Sequence, residues 1–127
     1  MKVKELKITI GHLPYSALMP NRLRGSHWSV RSRISLVALS EAYSEARLCM
    51  GDWEPPEKAS ILYRFTVQDR RKRDLDNLIG ASKPFLDGLV SARVIASDDG
   101  MYLSVAGAEM VRGTEAKTEL IISRREG

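Results

Sequence analysis

The chain contains a single cysteine, Cys49, which excludes an intramolecular disulfide and a zinc–cysteine cluster and makes a reducing compartment the natural setting. Flanked by Leu48 and Met50, that thiol is expected to be buried. No long apolar run is present. The N-terminus alternates lysines with apolar residues, so neither a signal peptide nor a membrane span is expected, and the expected location is cytoplasmic. Internal repeats, low-complexity stretches and linker-like segments are also missing, so the 127 residues are expected to form one domain spanning 1–127. Acidic residues are absent from one long interval. None falls between Glu5 and Glu41, yet Lys7, Arg22, Arg24, Arg31 and Arg33 all do. With His27 and Trp28 interleaved, this interval suits a surface that tracks a sugar-phosphate backbone, with an indole that could stack on an exposed base. The bland alternative is a basic loop and helix start whose Trp28 belongs to the core, and for Trp28 alone the core is favoured.

What is present agrees with a phosphate-rich partner. The formal net charge is +4 and the isoelectric point about 9.4, a mild excess whose distribution says more than its total. Val3 to Ile10 has the period of a strand, and Gly11 to Ser26, with Pro14, Pro20 and Gly25, reads as a DNA-contacting loop. From Ser29, a candidate N-cap, Leu36, Leu39, Tyr43, Ala46 and Met50 recur at steps of three and four and predict a long amphipathic helix ended by Gly51. Ala59, Ile61, Tyr63, Phe65 and Val67 alternate as the clearest strand. A helix from about Asn77 to Val90 should face Leu78, Phe85 and Leu89 inward, with a break near Ser82 or a restart that places Pro84 in a first turn. Met101, Leu103 and Val105 predict a third strand; Thr118, Leu120 and Ile122 predict a fourth. The expected fold is α+β, a small mixed β-sheet packed against two main helices.

The most informative segment is Arg70-Arg71-Lys72-Arg73-Asp74-Leu75-Asp76-Asn77-Leu78, which sets four cations against two carboxylates one residue apart. In an extended segment Asp74 and Asp76 would point to the same side and could share one ion. Hard carboxylate oxygens suit Mg²⁺, which commonly takes one or two protein carboxylates and leaves its other positions to water and substrate phosphate. The chemistry this suggests is metal-assisted phosphodiester hydrolysis. In the bland reading Asp76 or Asn77 caps the next helix and Asp74 pairs with a neighbouring arginine. Lys83 could sit against a scissile phosphate or be an ordinary solvated lysine. Asp98-Asp99-Gly100 could supply a further ligand or simply form a tight turn.

Together, Arg71 to Leu78, Lys83-Pro84-Phe85-Leu86-Asp87-Gly88-Leu89-Val90 and Asp98-Asp99 resemble the RusA-type crossover junction endodeoxyribonucleases, or Holliday junction resolvases, with a weaker echo in Pro20-Asn21-Arg22 and His27-Trp28. The resemblance implies a Mg²⁺-dependent homodimer that cuts two opposed strands of a four-way DNA junction. It implies metal ligands at Asp74, Asp76 and Asp99, with Asp98 the rival for the third, and a catalytic lysine at Lys83. The DNA-binding set would be Arg70, Arg71, Lys72, Arg73, Arg22, Arg24, His27 and Arg31. Two other classes stay open: a non-catalytic protein that binds branched or single-stranded DNA, and a metal-dependent hydrolase of small phosphate esters.

Overall fold

The computed structural model describes residues 4–20 and 28–125. Strand β1 (Glu5–Ile10) leads through a single 3-10 turn at Ser16–Leu18 to helix α1 (Trp28–Cys49). Strand β2 (Ala59–Val67) follows, then two short helices, α2 (Leu75–Ala81) and α3 (Lys83–Ser91), and strands β3 (Leu103–Arg112) and β4 (Lys117–Arg124). The sheet order is β1-β4-β2-β3, with β4 antiparallel to both β1 and β2, and β3 parallel to β2. This is the expected α+β architecture with a mixed sheet.

Alternation along the strands gives the sheet its apolar side. In register across three strands, Ile8, Leu120 and Tyr63 form one row, Leu6, Ile122 and Ile61 the next, and Ile10, Thr118 and Phe65 a third; all nine side chains are buried. The helices add Leu78, Phe85 and Leu89, each fully buried as their spacing predicted. On the opposite side of the sheet, Lys7 meets Glu119 at 3.3 Å and Arg64 pairs with Glu109, so the few buried or half-buried charges there are matched.

The face of α1 differs from the expected one. Ala38, Ala42 and Ala46, spaced four apart, are its fully buried residues, whereas Leu36 is 65% exposed and Tyr43 is also exposed. Small residues are required because α1 lies very close to α3: a Cβ added at Gly88 would stand 2.5 Å from the Leu39 carbonyl oxygen. Ser29 lies within the helix rather than capping it. Trp28 is 68% exposed, so it is a surface residue and not part of the core, and Cys49 is exposed rather than buried. Gly51 follows the helix with φ +52°, the conformation that glycine adopts most readily. Met101 lies in a turn before β3, and Val105 on the edge strand is exposed.

The segment from 75 to 91 divides at Ser82, whose hydroxyl donates to the Leu78 carbonyl at 2.8 Å, and Pro84 sits in the first turn of α3. At the other end of α3, Val94 N–H donates to Leu89 C=O and Arg93 N–H to Val90 C=O, a Schellman closure with Arg93 at φ 67°. The consequence of this arrangement is positional. Strand β2 delivers the chain from Val67 towards the start of α2, whereas the turn before β3 lies at the other end of the parallel β2–β3 pair, where Ala59 is opposite Leu103 and its N–H donates to the Tyr102 carbonyl.

Candidate functional site

After β2 the chain crosses from Gln68 to Arg73 without regular structure. Asp69 organises this crossing: its Oδ1 accepts the Arg71 N–H at 3.0 Å and Arg73 Nη1 at 2.7 Å, while Oδ2 accepts Arg73 Nη2 at 3.2 Å. The bidentate guanidinium, with the Arg71 amide, holds the Asp69 carboxyl at about 2, well below its ordinary value. Arg73 is thus occupied within the chain. Arg70, Arg71 and Lys72 are exposed and make no ion pair with any described residue.

Asp74 occupies the N-cap position of α2, with φ −84° and ψ 128°, and its carbonyl accepts the N–H groups of Asn77 and Leu78. Its carboxylate makes no capping bond. Asp76 lies one step inside the helix, in the first turn, so the two aspartates do not share an extended segment and their alignment cannot rest on strand geometry. Both are exposed, and neither carboxylate has a hydrogen bond or ion pair with the described residues. The bland expectation that Asp74 pairs with an arginine is not met, because Arg73 turns to Asp69 instead. An open cavity of about 500 Å³ lies against Arg71, Lys72, Asp74 and Asn77, with Ser16 and Met19 opposite.

Lys83 sits at the first position of α3, at the expected break. Its ammonium is 2.7 Å from Asp87 Oδ1 and also hydrogen-bonds Asp98. Partial burial alone would lower the Lys83 pKa, but the bonds and charges of the two carboxylates outweigh it and raise the value above that of an ordinary lysine. The Lys83 ammonium in turn holds the Asp98 carboxyl low. Asp99 behaves as a turn residue: Oδ1 accepts the Met101 N–H at 2.8 Å, and its carbonyl accepts those of Tyr102 and Leu103. Of the two rivals, it is therefore Asp98 that touches Lys83.

Among the described residues, no three His, Cys, Asp or Glu side chains are grouped to hold a metal ion. The donors at Asp74 and Asp76 still fit Mg²⁺ in kind, being hard oxygens uncommitted to other partners, and Mg²⁺ accepts as few as one or two protein carboxylates. Glu109, the next acidic residue after Asp99, is held by Arg64 on the far side of the sheet. Arg31 lies on α1, with Nε buried and lacking a hydrogen-bond partner among the described residues. Arg22, Arg24 and His27 lie outside the described residues.

One cluster is invisible to spacing. His12 Nε2 is 2.6 Å from Glu41 Oε2, His12 Nδ1 is 2.7 Å from the Leu13 carbonyl, and the Tyr15 hydroxyl donates to the other Glu41 oxygen. Burial and the adjacent Glu41 push the Tyr15 phenol up to about 12. These bonds pin the loop after β1 to the middle of α1. No protein-family model matches the chain, and comparison with curated proteins gives no significant match. Among the described residues no helix is long and apolar enough to cross a membrane.

Proposed function

We propose that this chain is a Mg²⁺-dependent endodeoxyribonuclease that acts on branched DNA, with the four-way junction as its substrate, and that it works as a homodimer. The observation that carries this reading is the pair of exposed, uncommitted carboxylates at Asp74 and Asp76 directly beside three cations, Arg70, Arg71 and Lys72, that make no ion pair with the described residues. Carboxylates next to phosphate-binding cations are counterproductive for binding alone, since they repel the same phosphate. They make sense if a cation is to be held between them and the substrate.

In this reading Arg70, Arg71 and Lys72 seat the sugar-phosphate backbone and set its register without reading sequence. Asp74 and Asp76 would hold Mg²⁺, with Asp99 or Asp98 completing the set. When bound, the metal lowers the pKa of a coordinated water and offsets charge on the phosphate. Lys83 is cationic at neutral pH, so its role is electrostatic and not that of a base. Asp87 and Asp98 take two of the three N–H groups of its ammonium, which leaves one for a phosphate oxygen. A two-fold dimer would present two such sites to the near two-fold symmetry of a junction.

The second reading, a non-catalytic protein that binds branched or single-stranded DNA, is favoured by the engagement of Lys83 with both Asp87 and Asp98. Incubation with a synthetic four-way junction and a matching linear duplex, in Mg²⁺ and in EDTA, separates the two. Paired symmetric nicks confined to the junction in Mg²⁺ are the expected result; binding without cuts in either buffer assigns the accessory role.

A further inference from the structure

A groove of about 680 Å³ runs between α1 and the α2–α3 junction, lined by Trp28, Arg31, Leu36 and Leu39 on one side and by Lys83 and Pro84 on the other. Three of its side chains bear on what it could hold. The Trp28 indole and the Leu36 side chain stand largely in solvent. Arg31 lines the groove with its Nε buried and, among the described residues, without a hydrogen-bond partner, so its guanidinium is not tied down by the fold. Among the described residues Asp87 is the only acidic one in the lining, and it is already bonded to Lys83, so none of them pairs with the charge of Arg31 there.

We propose that this groove receives one unpaired nucleotide of the DNA, its base stacked on the Trp28 indole and its phosphate bonded by the Arg31 guanidinium. The inference rests on the nuclease reading for its substrate and adds how that substrate is recognised: a base freed from its pair at a branch point is selected, whereas a base stacked within continuous duplex cannot enter. The volume lies within the range of pockets that enclose small organic ligands, about 300–1,000 Å³. An apolar protein segment would cover Trp28 and Leu36 but leave Arg31 without an acceptor. A nucleotide supplies a π-face and an anion together, and aromatic stacking of this kind tolerates any base. Because Lys83 lines the same groove, a nucleotide held there places the adjoining phosphates beside the proposed catalytic lysine.

Tryptophan emission tests this directly. Trp53, the other tryptophan, is buried with its indole N–H bonded to the Val94 carbonyl at 2.8 Å, so quenching by a stacked base reports on Trp28. The full chain in EDTA is titrated with a short oligothymidylate and with an oligomer of equal length and charge carrying abasic sites throughout. Expected are quenching by the first and not the second, its loss in Trp28→Phe, and affinity for the oligothymidylate reduced about tenfold in Arg31→Gln. Equal quenching by the abasic oligomer, or quenching that persists in Trp28→Phe, overturns the proposal. So does an emission change that follows protein concentration alone, which would assign the groove to a second copy of the chain. Junction cleavage in Mg²⁺ is read on the same preparation. Cutting without base-dependent quenching removes the groove assignment and leaves the nuclease, whereas base-dependent quenching without cutting removes the nuclease and supports the groove as a nucleotide site.

Discussion

Asp69 and Asp74 flank the same run of cations and use their oxygens in opposite ways. Asp69 spends both on Arg71 and Arg73 and so shapes the loop, while Asp74 leaves its carboxylate open to solvent. The Asp69 carboxyl, at about 2 against an ordinary 3.8, makes a contribution to stability that is fully present above pH 3.8 and is lost as the pH falls through about 2. Titration of the side-chain carboxyl by NMR is expected to show this low value in the native chain and a rise towards 3.8 in Arg73→Ala. Asp76→Asn keeps side-chain shape but removes a charge beside the proposed phosphate position. It is expected to abolish junction cleavage and leave junction binding intact or slightly tighter; near-normal cutting at ordinary Mg²⁺ would sink its assignment as a ligand. For the neighbouring pair, Asp99→Asn is expected to lose cleavage if Asp99 is the third ligand. Asp98→Asn, which frees Lys83 from one carboxylate, should retain cleavage within about tenfold, the scale of roughly 1.4 kcal/mol. Rates measured over a range of Mg²⁺, with circular dichroism to establish folding, decide between them; a dead Asp98→Asn and an active Asp99→Asn would transfer the ligand role to Asp98.

At the scale of elements, β2 and β4 are legible in the sequence because each alternates, and a two-residue period leaves only one face for the apolar set. The break at Ser82 and the first-turn position of Pro84 are legible for a similar reason, since proline cannot lie deeper in a helix without disrupting it. The inner face of α1 is not. Leu36 and Tyr43 outweigh Ala38 and Ala42 in any hydrophobic pattern, yet the close approach of Gly88 to α1 selects the smaller side chains. In the candidate site, the Asp74–Asp76 spacing and Lys83 can be read directly, but the Asp69 fork and the His12–Glu41–Tyr15 cluster depend on a loop path and on partners far apart in the chain. Arg93 gives no signal either, because nothing in its side chain announces a left-handed backbone. As it closes the Schellman motif after α3 at φ 67°, Arg93→Gly is expected to stabilise the chain by about 0.5–1 kcal/mol, visible as a higher urea midpoint with an unchanged slope. A lower midpoint would show that the arginine side chain contributes more than its backbone strain costs.

For the molecule as a whole, the cations that make no ion pair among the described residues define the face proposed to meet DNA. Because Arg73 is held by Asp69, the pair expected to matter is Arg70 and Arg71. Replacing both by glutamine should weaken binding to every DNA tested and lower the slope of log affinity against log salt by about 2, since each phosphate that the protein no longer neutralises on duplex DNA removes roughly 0.9. Sequence preference should be unaffected. An unchanged slope would place this loop away from the backbone and transfer the binding face to the basic interval before and within α1.

The position of β4 has a further consequence, for how the chain is made. This strand lies between β1 and β2, and among the described residues β1 has no other partner in the sheet. While the polypeptide is being synthesised, β1 emerges from the ribosome before the other described strands and must wait, without β4, until residues 117–124 have cleared the exit tunnel. The α1 helix and the β2–β3 pair can form before then, but they enclose an apolar surface with a missing central strand. The nascent chain is therefore exposed to chaperones and to misassociation for nearly the whole of this segment's synthesis, and the sheet closes in one late step that joins the two ends of the described chain.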